Sequence, residues 1–218
     1  FGVGAERFII GLAKKVLLAN TFANVADTVF NSPSTSYSTG TAWIGIIAYT
    51  LQIYVDFSGY SDMAIGLGKM VGFDFKENFN YPYSARSVQD FWRRWHISLS
   101  SWFRDYLYIP LGGNRGTKWQ TYRNLLIVFF MTGLWHGASW NFVIWGLYHG
   151  LFLLAERAGL GKKIERAPGI LAHLYTLLIV MIGWVFFRAD NLSEAVLYLK
   201  KMVGVSTISS SVTLSVDY

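Results

Sequence analysis

Apolar residues run through the chain in long blocks, separated by short polar or basic stretches. From Phe8 to Phe30 the block is interrupted by Lys14 and Lys15, whose long stems can snorkel, so it reads as an interfacial or tilted helix. Asn31 to Thr41, rich in Ser and Thr with Pro33 and Gly40, predicts a loop. Ala42 to Val55 carries no charge, and apolar character persists past Asp56 to Val71, longer than the roughly 20 residues a bilayer crossing needs. Gly59, Gly66 and Gly68 predict a break in that element or a close helix contact. Asp74 to Ser84, polar and aromatic with Pro82, leaves the hydrocarbon region.

The pattern then changes. From Val88 to Leu111, Phe91, Trp92, Trp95, Leu99, Trp102, Phe103 and Tyr106 follow three- and four-residue steps with Arg93, Arg94, Arg104 and Asp105 between them, which predicts one amphipathic helix stopped by Pro110, Gly112 and Gly113. Asn124 to Ala155 contains no Asp, Glu, Lys or Arg and, at about 1.5 Å per residue, is too long for one perpendicular crossing of a roughly 30 Å core. The basic residues before it (Arg115, Lys118, Arg123) and after it (Arg157, Lys162, Lys163, Arg166) both favour the cytoplasmic face. The element either tilts strongly or breaks, and the shared preference of its two ends favours a hairpin or re-entrant element turning near Gly137 to Asn141. A final span runs from about Ile170 to Phe187, closed by Arg188 and Asp190.

Composition agrees with a membrane solvent. Of 218 residues 53% are hydrophobic and 15% charged, against about 25% charged in a soluble domain. Nine Trp, 13 Tyr and 16 Phe suit bilayer interfaces and internal cavities. The net charge of +6 is dispersed between apolar runs, as where loops meet anionic headgroups, and argues against nucleic acid. With no Cys, disulfides, thiolate metal ligands and a thiol nucleophile are excluded. Phe1 stands where an initiator Met would, no signal peptide is evident, and Ser206 to Tyr218 is polar. The expectation is one membrane domain over residues 1–218, truncated at both termini, with no internal repeat.

Few side chains can do chemistry in such a setting. His136, in Gly133-Leu134-Trp135-His136-Gly137-Ala138-Ser139-Trp140-Asn141, lies deep in the uncharged stretch, where an ionisable group faces a cavity or a partner. Imidazole can take a proton from a hydroxyl and return it to a leaving group, or it can simply be a neutral residue bonded to a neighbouring helix. His96, in Phe91-Trp92-Arg93-Arg94-Trp95-His96, follows two Arg and a Trp that could hold a phosphate or carboxylate, or anchor an interfacial helix. Asp56 and Asp62 bracket Phe57 to Ser61 on different helix faces, as donor-binding or orienting groups, or as a cap or ion pair at a helix break. Trp indole N–H groups, Asn141 or His96 are the candidate donors to an oxyanion. His149 and His173 read as packing or interface residues, and no His spacing supports a metal site.

Tyr54-Val55-Asp56-Phe57-Ser58-Gly59-Tyr60-Ser61-Asp62, the Phe91 to Asp105 segment, Tyr108-Ile109-Pro110-Leu111-Gly112-Gly113-Asn114-Arg115 and Gly133 to Asn141 together resemble the membrane-bound O-acyltransferase family. The likeness spans roughly Phe8 to Arg188 and is strongest to the bacterial branch that serves alginate and teichoic acids. It implies an all-α, polytopic fold, a ring of transmembrane and re-entrant helices around a central tunnel, in the bacterial inner membrane. It also implies His136 as the catalytic residue with His96 as a second polar position. Arg93, Arg94, Trp95, Asp56, Asp62 and Asn141 are then expected to bind substrate. The implied donor is a thioester (acetyl-CoA or an acyl carrier) rather than a bound cofactor. The implied partners are membrane lipid, that donor, and an extracytoplasmic polysaccharide or an acetyl-relay protein. A transporter using Asp56, Asp62 and the histidines, or an export scaffold without catalysis, are the alternative readings.

Overall fold

The structure, a computed structural model, describes residues 1–205. Those residues form helices joined by turns, with no strand among them. Helix α1 (Gly2–Ala13) continues through a π-helical turn (Lys14–Ala19) into α2 (Asn20–Phe30), so the first apolar block is one continuous rod. A short loop capped by Ser38, which accepts the Thr41 N–H at 3.1 Å, starts α3 (Thr39–Met70). The α1–α2 rod lies antiparallel along α3 on a seam of glycines. A methyl at Gly11 would meet the Gly59 carbonyl at 2.5 Å, and one at Gly4 would meet the Gly66 carbonyl at 2.6 Å. Gly59 and Gly66 thus serve close approach of two backbones, and α3 runs unbroken for 32 residues.

Lys14 and Lys15 do not snorkel outward. Lys14 pairs with Asp62 at 2.6 Å, Lys15 pairs with Asp56, and Arg7 bridges Asp62 at 2.9 Å and Glu77. A charge facing an apolar solvent is expensive, so the cations of the rod and the carboxylates of α3 neutralise one another across the seam.

The amphipathic segment departs from the expected single helix. It breaks into α4 (Val88–Arg94) and α5 (Ile97–Phe103), followed by a π-helical turn (Arg104–Tyr108). His96 at the break adopts left-handed backbone (φ 45). The break persists because Asn78 substitutes for the lost helical bonds. Its carbonyl accepts the Ile97 N–H at 3.0 Å, and its side-chain oxygen accepts the Ser98 N–H at 3.1 Å and the Ser98 hydroxyl at 2.6 Å.

Asn124 to Ala155 breaks into a hairpin rather than running as one strongly tilted helix. Helix α6 (Lys118–His136) ends at His136, and α7 (Trp140–Ala155) returns after Ser139 caps it by accepting the Asn141 N–H at 3.4 Å. Gly133 and Gly146 let the two arms touch: a methyl at either would collide with the Phe142 or Phe129 carbonyl. Beyond α8 (Gly161–Arg166), helix α9 (Gly169–Arg188) packs against α7, with Tyr148 donating to the Ile179 carbonyl at 3.0 Å. The sequence pattern did not separate α10 (Leu192–Met202) from the polar C-terminal region. It is capped by Asn191 and docks through the Tyr198 hydroxyl on the Ala42 carbonyl at 2.7 Å. Residues 206–218, expected to be a polar terminus, lie outside the described residues.

By length and composition, two helices among the described residues suffice to cross a membrane: Gly2–Phe30 and Gly169–Arg188. Helix α3 is long enough, but Gln52, Asp56 and its tyrosines dilute its apolar character, and the arms of the hairpin are 19 and 16 residues long. The core common to these helices is aromatic, with Phe91, Trp95, Trp145 and Trp184 all buried.

Candidate active site

His136 is the last residue of α6, and Gly137 follows in fully extended backbone (φ 163, ψ 159). The helix therefore stops within the protein, and its terminal imidazole projects among aromatic rings. Trp145 stands edge-to-face on it at 5.0 Å between centroids (88°), Phe187 does the same at 5.1 Å, and Trp135 lies at 4.9 Å. Trp145 reaches this position because it follows Asn141 by one turn of α7, and Asn141 is itself fixed by donating to the Ala189 carbonyl at 2.7 Å. Asn141 is 3% exposed, and this bond occupies its amide.

Two cavities meet at His136. The first, about 480 Å³, is lined by Trp92, Arg93, His96, Thr132 and Leu153, among others, and includes His136. The second, about 540 Å³, is lined by Lys15, Asp56, Tyr60, Trp145 and Arg188 together with His136. Trp95 and His136 line both, so these two side chains form the partition. A third cleft of about 410 Å³ shares Gln89, Leu125 and Leu153 with the first and carries Arg86, Arg157 and Lys162.

His96 lies on the first cavity, edge-on to Phe57 at 4.7 Å and tilted against Trp135 at 6.2 Å. Burial without a charged partner pushes its pKa down to about 4, so it is neutral near pH 7. The remaining candidates separate. Arg93 faces the first cavity, whereas Arg94 is tied down by Asp90 at 2.9 Å, the Asn80 carbonyl and Ser84. Asp56 lines the second cavity with its partner Lys15, whereas Asp62 is enclosed by Arg7 and Lys14 on the glycine seam. His173 accepts no such position: its Nδ1 lies 3.2 Å from the Ala85 carbonyl. Among the described residues no cluster of His, Asp and Glu could hold a metal ion.

Sequence reasoning missed Trp145, Phe187 and Lys15 as walls of the site. The signal for Trp145 was present in its four-residue step from Asn141. Phe187 and Lys15 become neighbours of His136 or its cavity only through tertiary packing.

A helical protein whose half-buried histidine stands between two cavities is suited to transfer a group between substrates arriving from different sides. The chain belongs to the membrane-bound O-acyltransferase family, whose sequence model matches residues 1–160. It is 56% identical over 198 residues to the Probable alginate O-acetylase AlgI of Azotobacter vinelandii, covering 89% of this chain and 39% of that protein. It is 50% identical over 210 residues to the Peptidoglycan O-acetyltransferase of Helicobacter pylori, covering 95% of this chain and 40% of the relative. The Teichoic acid D-alanyltransferase of Bacillus subtilis is 28% identical over 204 residues, which is 84% of this chain and 50% of that protein. The chain thus spans about two fifths of the length of the first two relatives.

Proposed function

We propose that this chain is the catalytic part of a multi-pass acyltransferase of the bacterial inner membrane. It moves an acetyl group from a cytoplasmic thioester towards a hydroxyl of an extracytoplasmic polysaccharide, directly or through a relay protein. The observation that carries the reading is the position of His136 on the wall shared by two cavities. The family's ring of helices around a tunnel would enclose that wall in the whole protein.

The direction of transfer follows from charge. Leu125 near the start of α6 and Leu153 near the end of α7 line one cleft, so both arms of the hairpin open to the same side. The basic residues flanking the hairpin favour a cytoplasmic position for that side under the positive-inside tendency. A thioester carried on a phosphate-bearing arm would enter over Arg86, Arg157 and Lys162, pass Arg93 and present its carbonyl beside His96 and His136. The acceptor hydroxyl would enter from the cavity of Lys15, Asp56 and Arg188.

In the chemical step, neutral His136 takes the hydroxyl proton as the acceptor oxygen attacks the thioester carbonyl. The carbon–sulfur bond then breaks, and the imidazolium returns the proton to the departing thiolate. The neutral His96 imidazole offers an N–H towards the transient oxyanion, a role the occupied amide of Asn141 is poorly placed to fill. The test is transfer of radiolabelled acetyl by membranes carrying the full-length protein, with His136 intact or replaced by Ala. Label in the polymer fraction only with His136 intact is the expected result.

A further inference from the structure

His149 is 0% exposed, and neither ring nitrogen has a hydrogen-bond partner among the described residues. It follows Trp145 by one turn of α7, on the stripe that begins at Asn141. Its Nε2 rests on the backbone of Gly183 in α9, where any added methyl would collide with it. On its other sides it meets Trp92 at 5.1 Å (85°), Trp145 at 5.4 Å (76°) and Tyr148 at 5.2 Å (81°), each edge-to-face. The indole nitrogens of Trp92 and Trp145 are likewise buried without partners. Trp92 and Trp145 are in contact at 5.6 Å, so four unpartnered polar atoms occupy one junction of α4, α7 and α9.

A role in packing alone does not account for this arrangement. Burying an imidazole without partners costs about 1–3 kcal/mol relative to an apolar side chain of similar size. What distinguishes the junction is what it touches: Trp92 lines the cavity containing His96, Trp145 lines the opposite cavity, and Trp145 stands on the His136 ring. Perpendicular ring contacts fix orientation through the quadrupoles of the partners. A ring carrying a dipole as well as a face can set the N–H edges of the two indoles packed on it.

We propose that His149 is a positioning residue of the transfer reaction, setting the Trp92 and Trp145 indoles and, through Trp145, the orientation of His136 at the partition between the cavities. The inference rests on the acyl-transfer reading above. It predicts that polarity at position 149 matters for turnover and not for folding.

The experiment compares His149→Leu and His149→Gln in the full-length protein in membranes. It measures labelled acetyl transfer per folded molecule, KM for the thioester and thermal stability. For His149→Leu the expected result is a kcat lowered about tenfold, a KM within about threefold of the parent, and a stability unchanged or raised. His149→Gln, which keeps a donor and an acceptor, should restore kcat to within about threefold. Full turnover in both variants, equal impairment of both per folded molecule, or losses that merely track the amount of folded protein would overturn the proposal. An inactive parent protein would instead refute the acyl-transfer reading on which it rests.

Discussion

Glu156 shows how a residue remote from the two cavity-lining histidines holds the site in shape. Its carboxylate, just after α7, accepts the Val88 N–H at 2.7 Å and the Gln89 N–H at 3.0 Å, so it caps the start of α4 from a different part of the chain. Helix α4 carries Trp92 and Arg93 and leads into Trp95 and His96. In Glu156→Ala both N–H groups lose a charged acceptor, each bond contributing about 1.5–3 kcal/mol. Gln89 is exposed and can turn to water, whereas Val88 is 0% exposed and cannot. The net loss should therefore be nearer one such bond than two, about 2–3 kcal/mol. Thermal unfolding of the purified full-length protein in detergent should shift down by about 2–3 °C, since a relative of that length unfolds with an entropy of about 1 kcal/mol per K. Glu156→Gln keeps one acceptor oxygen and should recover roughly half of the shift. Acetyl transfer at low temperature should fall less than stability does, because Glu156 touches neither of the two cavities that meet at His136. An unchanged melting temperature in Glu156→Ala would refute the capping argument, and with it the claim that α4 is positioned from α7.

Arg93→Ala should raise the thioester requirement while Arg94→Ala mainly lowers stability, a contrast read from KM and melting temperature; equal KM effects would contradict their different placements. Gly66→Leu should prevent the α1–α2 rod from seating on α3 and reduce folded protein in the membrane, whereas Gly2→Leu, with nothing within 4 Å, should be neutral by the same quantification. Because burial lowers the His96 pKa to about 4 against about 6.5 unfolded, its stabilising contribution is complete above pH 6.5 and lost as pH falls towards 4. His96→Gln should weaken that part of the acid dependence in a melting series, and should lower transfer less than His136→Ala.

Much of this arrangement was legible along the chain. The uncharged length of Asn124 to Ala155 with basic residues at both ends favoured a hairpin over a tilted helix, and Gly137 to Asn141 marked its turn. The glycines at 59 and 66 announced a close contact, although only the partner glycines at 4 and 11 decide between contact and break. The break at His96 was not legible, because the apolar steps continue through it. What interrupts the helix is Asn78, which lies well before it in sequence. The pairing of Lys14 and Lys15 with Asp62 and Asp56 was hidden for a similar reason, since each charge alone suggested an interface or a substrate contact. For the site, sequence supplied the histidines but not the partition, which depends on Trp145 and Phe187 closing around His136.

The central claim is that His136 is the general base between two substrate cavities, a role that typically contributes about 10²- to 10⁴-fold. The most direct measurement is radiolabelled acetyl transfer by membranes carrying the full-length protein or its His136→Ala variant at matched protein level. The account predicts near-complete loss of transfer in the variant with insertion intact, while His149→Ala remains much milder. Near-normal transfer by a correctly inserted His136→Ala protein would contradict it.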